Sequence, residues 1–318
     1  MSDRRGKAGA VPTAMRRTIA QAIRCEGIGL HTGKPVSMTL VPAAAGTGIV
    51  FRRTDVPGDT GVLPARWDRV TQTMHATLLS NPEGVTLSTV EHVMAALAGL
   101  GIDDILIAVD GPELPIMDGS SEPFVFLLES AGLRECEQPR RYLRLRRTVS
   151  ITEGSKTASL SPADHFSVSV EIDFGATAVA RQSGAVVVDP TSFKTEISRA
   201  RTFGFLEEVN YLRANGLALG GSLDNAVVVS GQNVMNPEGL RFADEFVRHK
   251  ILDCIGDLYL AGGPILGAFH GVRSGHALNN KLLRAVFADA ANYEWVDATP
   301  AMAVVGVPMD LPAVAARA

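Results

Sequence analysis

Cysteine is scarce in this chain of 318 residues: there are three, Cys25, Cys136 and Cys254. An odd number without paired spacing excludes a disulfide framework and a thiolate metal cage, and it leads us to expect a reducing, cytoplasmic setting. No apolar run approaches the ~18 residues that a spanning helix requires, so no membrane span is expected. The opening residues carry arginines but no continuous apolar segment or cleavage-like site. They read as a flexible lead-in over residues 1–16, not as a signal peptide. A formal net charge of −4 leaves no positive surplus for nucleic acid. One local basic run, residues 140–147, interleaves arginine with Tyr142, Leu143 and Leu145, and reads as a solvated strand edge. Familiar signatures are missing as well. Residues 27–34 only faintly resemble a phosphate loop, with Ile28 in place of the first glycine and Pro35 after the lysine. There is no Gly-x-Ser-x-Gly elbow and no His-Glu-x-x-His helix.

What is present is a repeated pattern. Residues 36–43 alternate in strand fashion, turn, and resume at 48–51; residues 158–163 do the same and resume at 166–170. A helix is expected over residues 88–100, with Ser88 as N-cap and Glu91 at the capping-box position. A strand (105–109) and a second helix (122–131) follow. Later, residues 244–261, 265–269 and 279–290 repeat helix, strand and helix. This order predicts an α+β protein of two similar halves, each a sheet packed on paired helices. The expected domains are 17–139 and 140–305, with a C-terminal tail over 306–318.

The chemistry concentrates in residues 248–257. His249, Asp253 and Asp257 are spaced four apart and form one row on a helix, opposite an apolar stripe that includes Ile251 and Leu258. Such a row ordinarily faces water, but His and Asp at i, i+4 also suit one divalent metal. The corresponding helix of the first half holds Glu91 and His92 side by side in an apolar setting. Alone, these would be a capping carboxylate and a core histidine. Together, the two helices suggest a cation between the halves, held by His92, His249 and Asp253. Two imidazoles, one carboxylate and an open place for water form a catalytic zinc pattern. Glu91 would then accept a proton from water, and His276, oriented by Asp257, would protonate a departing amine. His31, His75, His165 and His270 lack such company and read as structural or exposed.

With these residues assembled, the chain closely resembles the UDP-3-O-acyl-N-acetylglucosamine deacetylases, zinc enzymes of lipid A synthesis. The matching stretches are residues 27–34, 88–101, 115–120, 197–205, 219–225, 239–257 and 274–282. The resemblance implies Zn2+ at His92, His249 and Asp253, Glu91 as general base, and His276 as general acid beside Asp257. It further implies that Thr202 faces the oxyanion and that Lys250 binds substrate. Phe203, Leu206, Val209 and Ala218 would line a passage for the acyl chain, although the spacing of Leu206, Val209 and Leu212 alone says only that a short helix buries one face. The expected partner is an acylated UDP-sugar, acted on by a monomer. The chain departs from the family at its extended N-terminus, at Ala76, where some members carry cysteine, and over residues 175–188. Two other readings stay open on the residues alone: a non-catalytic binder of acylated sugar nucleotides, and a zinc hydrolase of an unrelated amide.

Overall fold

Alternation of apolar and polar residues sets the strands of both halves, as when Met38 and Leu40 turn inward while Ser37 and Thr39 do not. The computed structural model describes residues 14–298. Residues 1–13 and everything from 299 onward, including the tail expected at 306–318, lie outside the described residues. Met15 and Arg16, the last residues of the expected lead-in, belong to a strand. Arg16 is held there by two hydrogen bonds of 2.7 Å to Asp104.

In the first half, β1 (Met15–Ile19), β2 (Ile23–Ile28), β3 (Pro35–Pro42), β4 (Ile49–Arg53) and β5 (Val62–Pro64) precede a small sheet. That sheet consists of β6 (Val70–Gln72), β7 (Leu78–Ser80) and β8 (Thr86–Leu87). Helix α1 (Glu91–Leu100), β9 (Ile105–Val109), helix α2 (Glu122–Ser130) and β10 (Leu133–Pro139) follow. The main sheet runs β2-β3-β9-β4-β5, with β3 antiparallel and β4 parallel to β9.

The second half opens with β11 (Arg141–Leu145), β12 (Val149–Glu153), β13 (Lys156–Pro162), β14 (Phe166–Asp173) and β15 (Arg181–Val187). A short helical turn, α3 (Pro190–Ser192), leads to an inserted unit of β16 (Phe203–Phe205), α4 (Leu206–Ala214), β17 (Val227–Ser230) and β18 (Asn233–Val234). Helix α5 (Glu245–Tyr259), β19 (Ile265–Val272), helix α6 (His276–Phe287) and β20 (Tyr293–Asp297) complete it. Here β13 is antiparallel and β14 parallel to β19, with β12 and β15 outside them. Strand order and polarity therefore match those of the first half. The chain is an α+β protein of two similar halves.

Three local expectations need correction. The basic stretch is no sheet edge: β11 lies between β19 and β20, with Leu143 and Leu145 buried. Its arginines are instead drawn to acids, Arg140 to Asp103 and Arg144 to Glu294. Helix α1 begins at Glu91 after Val90, without the expected side-chain cap, because Ser88 is engaged in a bridge with Glu113. Helix α6 begins at His276, three residues before the expected start at 279.

The halves meet where α1 crosses α5. Helix α1 is buried nearly all round, which explains why its apolar residues lack a polar face. At the crossing, a Cβ on Gly256 would lie 2.0 Å from the Glu91 carbonyl oxygen and 3.1 Å from the Ala95 nitrogen. Only glycine permits this approach. Gly256→Ala is expected to force the helices apart at a cost of ~1–3 kcal/mol, typical of overpacking. Urea unfolding measures it, and a midpoint equal to that of the parent would show that the crossing has slack.

Candidate metal centre

That close crossing positions the chemistry. His92 is the second residue of α1, while His249 and Asp253 lie one turn apart on α5. Their ligand atoms lie within 4.8 Å of one another. The nearest approaches to Asp253 Oδ1 are 3.3 Å from His249 Nε2 and 3.7 Å from His92 Nε2. The row that would ordinarily face water is buried: His249, Asp253 and Asp257 are each no more than 3% exposed, and His92 opposite them is 4% exposed.

These residues fit a cation. His249 Nδ1 lies 3.0 Å from the Ala200 carbonyl, which can only accept, so the proton sits on Nδ1 and the Nε2 lone pair is free. Asp253 Oδ1 is buried without a hydrogen-bond partner among the described residues, a costly state for a carboxylate oxygen unless a cation meets it. Burial, with His249 as a second cause, holds His92 down to about 3, and burial likewise lowers His249. Both rings are therefore neutral and ready to ligate. Burial opposes ionisation of Asp253, but His249 and Lys250 outweigh it and keep its carboxyl below the usual range. Lys250 Nζ donates to Asp253 Oδ2 at 2.9 Å.

Beside this set stand a carboxylate and an imidazole that face each other. Glu91 Oε1 is 3.9 Å from His276 Nε2, and His276 Nδ1 is 2.8 Å from Asp257 Oδ2. Burial pushes the Glu91 carboxyl up to about 7, aided by the nearby Asp257 and Asp253 charges. For His276 burial disfavours the charged ring, yet the charge and hydrogen bond of Asp257, followed by Glu91, win and push it up to about 10. Glu91 is thus no helix cap; its Oε2 accepts from the Thr77 N–H at 3.1 Å. The preceding turn is strained, because β-branched Thr89 has φ 61°. Such a conformation costs of order 1–3 kcal/mol and persists only where its surroundings enforce it. Here the Thr89 N–H bonds the Thr77 carbonyl and its hydroxyl bonds Glu113.

The centre opens into a cavity of about 640 Å³ lined by Thr202, Phe203, Leu206, Val209, Ala218 and Lys250, together with Glu91, His92, His249, Asp253 and His276. Asp257 stands behind His276. Leu212 adds to the apolar wall, so the buried face of α4 is also the face that lines the cavity. Several participants had no sequence signal: Thr77, Asn279, Lys156, Arg273, and the histidines His31 and His75, which line the cavity although their spacing suggested nothing. His165 and His270 are exposed.

Other motifs prove to be scaffolding. Glu113 accepts from the backbone N–H groups of His31 and Thr32 at 2.8 and 2.9 Å, and a Cβ on Gly29 would lie 2.3 Å from that carboxylate. Gly29 thus makes room for an internal anion, while Gly27 and Gly33 let Pro115 and Leu219 approach. Arg201, 2% exposed, bonds the fully buried Glu245 through Nε at 2.9 Å. The same carboxylate receives the backbone N–H groups of Arg201 and Arg241. This anchors the segment before β16 that delivers Ala200 and Thr202.

A cation set of two imidazoles and one carboxylate, with a second carboxylate and a charged imidazole alongside, defines a metal-dependent hydrolase. Residues 16–288 match the LpxC family, described as UDP-3-O-acyl N-acetylglycosamine deacetylase, and the chain belongs to that family. Similar proteins include the UDP-3-O-acyl-N-acetylglucosamine deacetylases of Shewanella oneidensis and Shewanella baltica. Each is 50% identical over 283 residues, covering 88% of this chain and 92% of the relative.

Truncating Glu245 to alanine would leave the buried Arg201 guanidinium with only the exposed Glu238 as an acid partner, and would orphan the backbone N–H groups of Arg201 and Arg241. A loss of about 3–5 kcal/mol is expected, measured by chemical denaturation; a loss below ~1 kcal/mol would show that Glu238 and water suffice for Arg201.

Proposed function

We propose that the chain hydrolyses the N-acetyl group of a UDP-3-O-(3-hydroxyacyl)-N-acetylglucosamine, releasing acetate and leaving the free amine of a lipid A precursor. His92, His249 and Asp253 hold the ion, which is Zn2+. When bound, it supplies Lewis acidity to an amide carbonyl and to a water molecule. The observation that carries this reading is one buried cluster in which a cation set, a carboxylate near neutrality and an imidazolium meet at an apolar cavity.

The side chains divide the proton work. Glu91, its carboxyl raised to about 7, accepts a proton from the attacking water. His276 carries its proton on Nε2, the nitrogen turned toward Glu91, and delivers it to the departing glucosamine nitrogen. Asp257 holds the ring through Nδ1. The Thr202 hydroxyl faces the oxyanion, where one such donor contributes about 3 kcal/mol to the transition state. Lys250 binds substrate from the rim of the centre, and Lys156 and Arg273 supply positive charge for a diphosphate. Phe203, Leu206, Val209 and Ala218 receive the acyl chain, whose burial stabilises the complex by roughly 25 cal/mol per Å². The apolar wall favours this reading over an unrelated amide, and the paired acid and base favour it over a non-catalytic binder.

Among the described residues no helix is long and apolar enough to cross a membrane. The reading takes residues 17–139 and 140–305 as two domains of a monomer. It places the protein in the cytoplasm, in keeping with three free thiols.

Acetate release from acylated UDP-N-acetylglucosamine tests the reaction. Activity is expected to vanish on chelation and return with zinc; acetate release indifferent to chelator would reject the metal role. His249→Ala is expected to lose both metal and turnover. His276→Ala should keep the metal and lose about 10²–10⁴ in kcat, so an inactive protein stripped of metal would move His276 into the ligand set. Turnover needs His276 protonated, so kcat/KM should fall as pH rises through the His276 value of about 10. Asp257→Asn removes the anion that favours the charged ring and should shift this descending limb to lower pH. A limb that stays in place would assign it to another group.

A further inference from the structure

We infer that Thr77 is a positioning residue for both arms of the proton-transfer pair, holding Glu91 through its backbone and the Asp257–His276 couple through its hydroxyl. The inference rests on the reading of Glu91 as base and His276 as acid. Thr77 lies just before β7 in the first half and is 2% exposed. Its Oγ1 donates to Asp257 Oδ1 at 2.6 Å, across 180 residues of sequence and across the junction of the halves. Its N–H donates to Glu91 Oε2 at 3.1 Å, and its carbonyl accepts from the Thr89 N–H at 3.1 Å.

The other oxygen of Asp257 is already committed, since Oδ2 takes His276 Nδ1 at 2.8 Å and Asn279 Nδ2 at 2.9 Å. Asp257 Oδ1 therefore depends on the Thr77 hydroxyl among the described residues. Without that donor the oxygen is buried and unpaired, and the carboxylate is free to turn about its Cβ–Cγ bond. Turning would carry Oδ2 out of line with His276. A β-branched residue suits this role because its χ1 is stiff and the hydroxyl is aimed before substrate arrives. The backbone on either side is also constrained: His75 and Thr89, both non-glycine, hold φ values of 64° and 61°. One residue thereby sets the 3.9 Å spacing between the tips of Glu91 and His276.

Thr77→Val keeps the shape and the backbone bonds but removes the donor; Thr77→Ser keeps the donor. In the metal-loaded full chain, Thr77→Val is expected to lower kcat about tenfold or more, as loss of a partner one layer behind an active group does. KM and metal content should stay unchanged, and Thr77→Ser should stay close to the parent. In metal-free protein the His276 Nδ1 proton resonance should move upfield in Thr77→Val and remain in place in Thr77→Ser. Parental kcat in Thr77→Val, an equal loss in both variants, or an unmoved His276 resonance each overturn the inference. Should Thr77→Val not fold, the parent decides. A Thr77 hydroxyl proton protected from exchange supports the bond to Asp257, and a rapidly exchanging one overturns it. The resonance needs no substrate, so failure of acetate release in the parent would fault the assigned reaction without touching this result.

Discussion

Everything at the centre depends on how closely two helices approach. Gly256 lets the backbone of α5 lie against the carbonyl of Glu91, so the first turn of α1 sits beside the middle of α5. His92 then meets a histidine and an aspartate that are already aligned by the helical repeat. Neither helix offers three ligands by itself. The candidate metal centre lies at the junction of the halves, and the packing that joins them also brings its three residues together.

Such a junction buries many polar groups, and the surrounding hydrogen bonds show how the fold tolerates them. His249 is oriented by the Ala200 carbonyl, Lys250 meets Asp253, and Asp257 receives three donors. The Arg201–Glu245 pair stands behind this layer and ties the segment carrying Thr202 to the start of α5. Burial acts in opposite directions on neighbouring groups: it raises the Glu91 carboxyl, while Asp257 overrides it at His276. Two residues whose tips are 3.9 Å apart are thus held as a carboxyl near neutrality and a charged imidazole.

The cavity shows one face serving two purposes. Leu212 is buried and Leu206 and Val209 are half-buried along one stripe of α4, and the same stripe forms an apolar wall open to the centre. Periodicity reports only that a face avoids water. Whether protein or ligand covers it is decided by what the insert leaves vacant.

The sequence by itself determined the repeated strand and helix order, the i, i+4 row of His249, Asp253 and Asp257, and the pairing of Glu91 with His92. All of these are local periodicities, dictated by helix and strand geometry. It could not determine that the row is buried, because an isolated polar stripe looks the same whether it faces water or a partner helix. Nor could it reveal Thr77, Asn279 or Glu113, whose roles arise from contacts across tens to hundreds of residues and leave no spacing to read. It misplaced the cap at Ser88 and the edge at residues 140–147 because those choices belong to neighbours in space. Only the tertiary structure sets which halves touch, and the distance at which they touch decides what the buried groups can do.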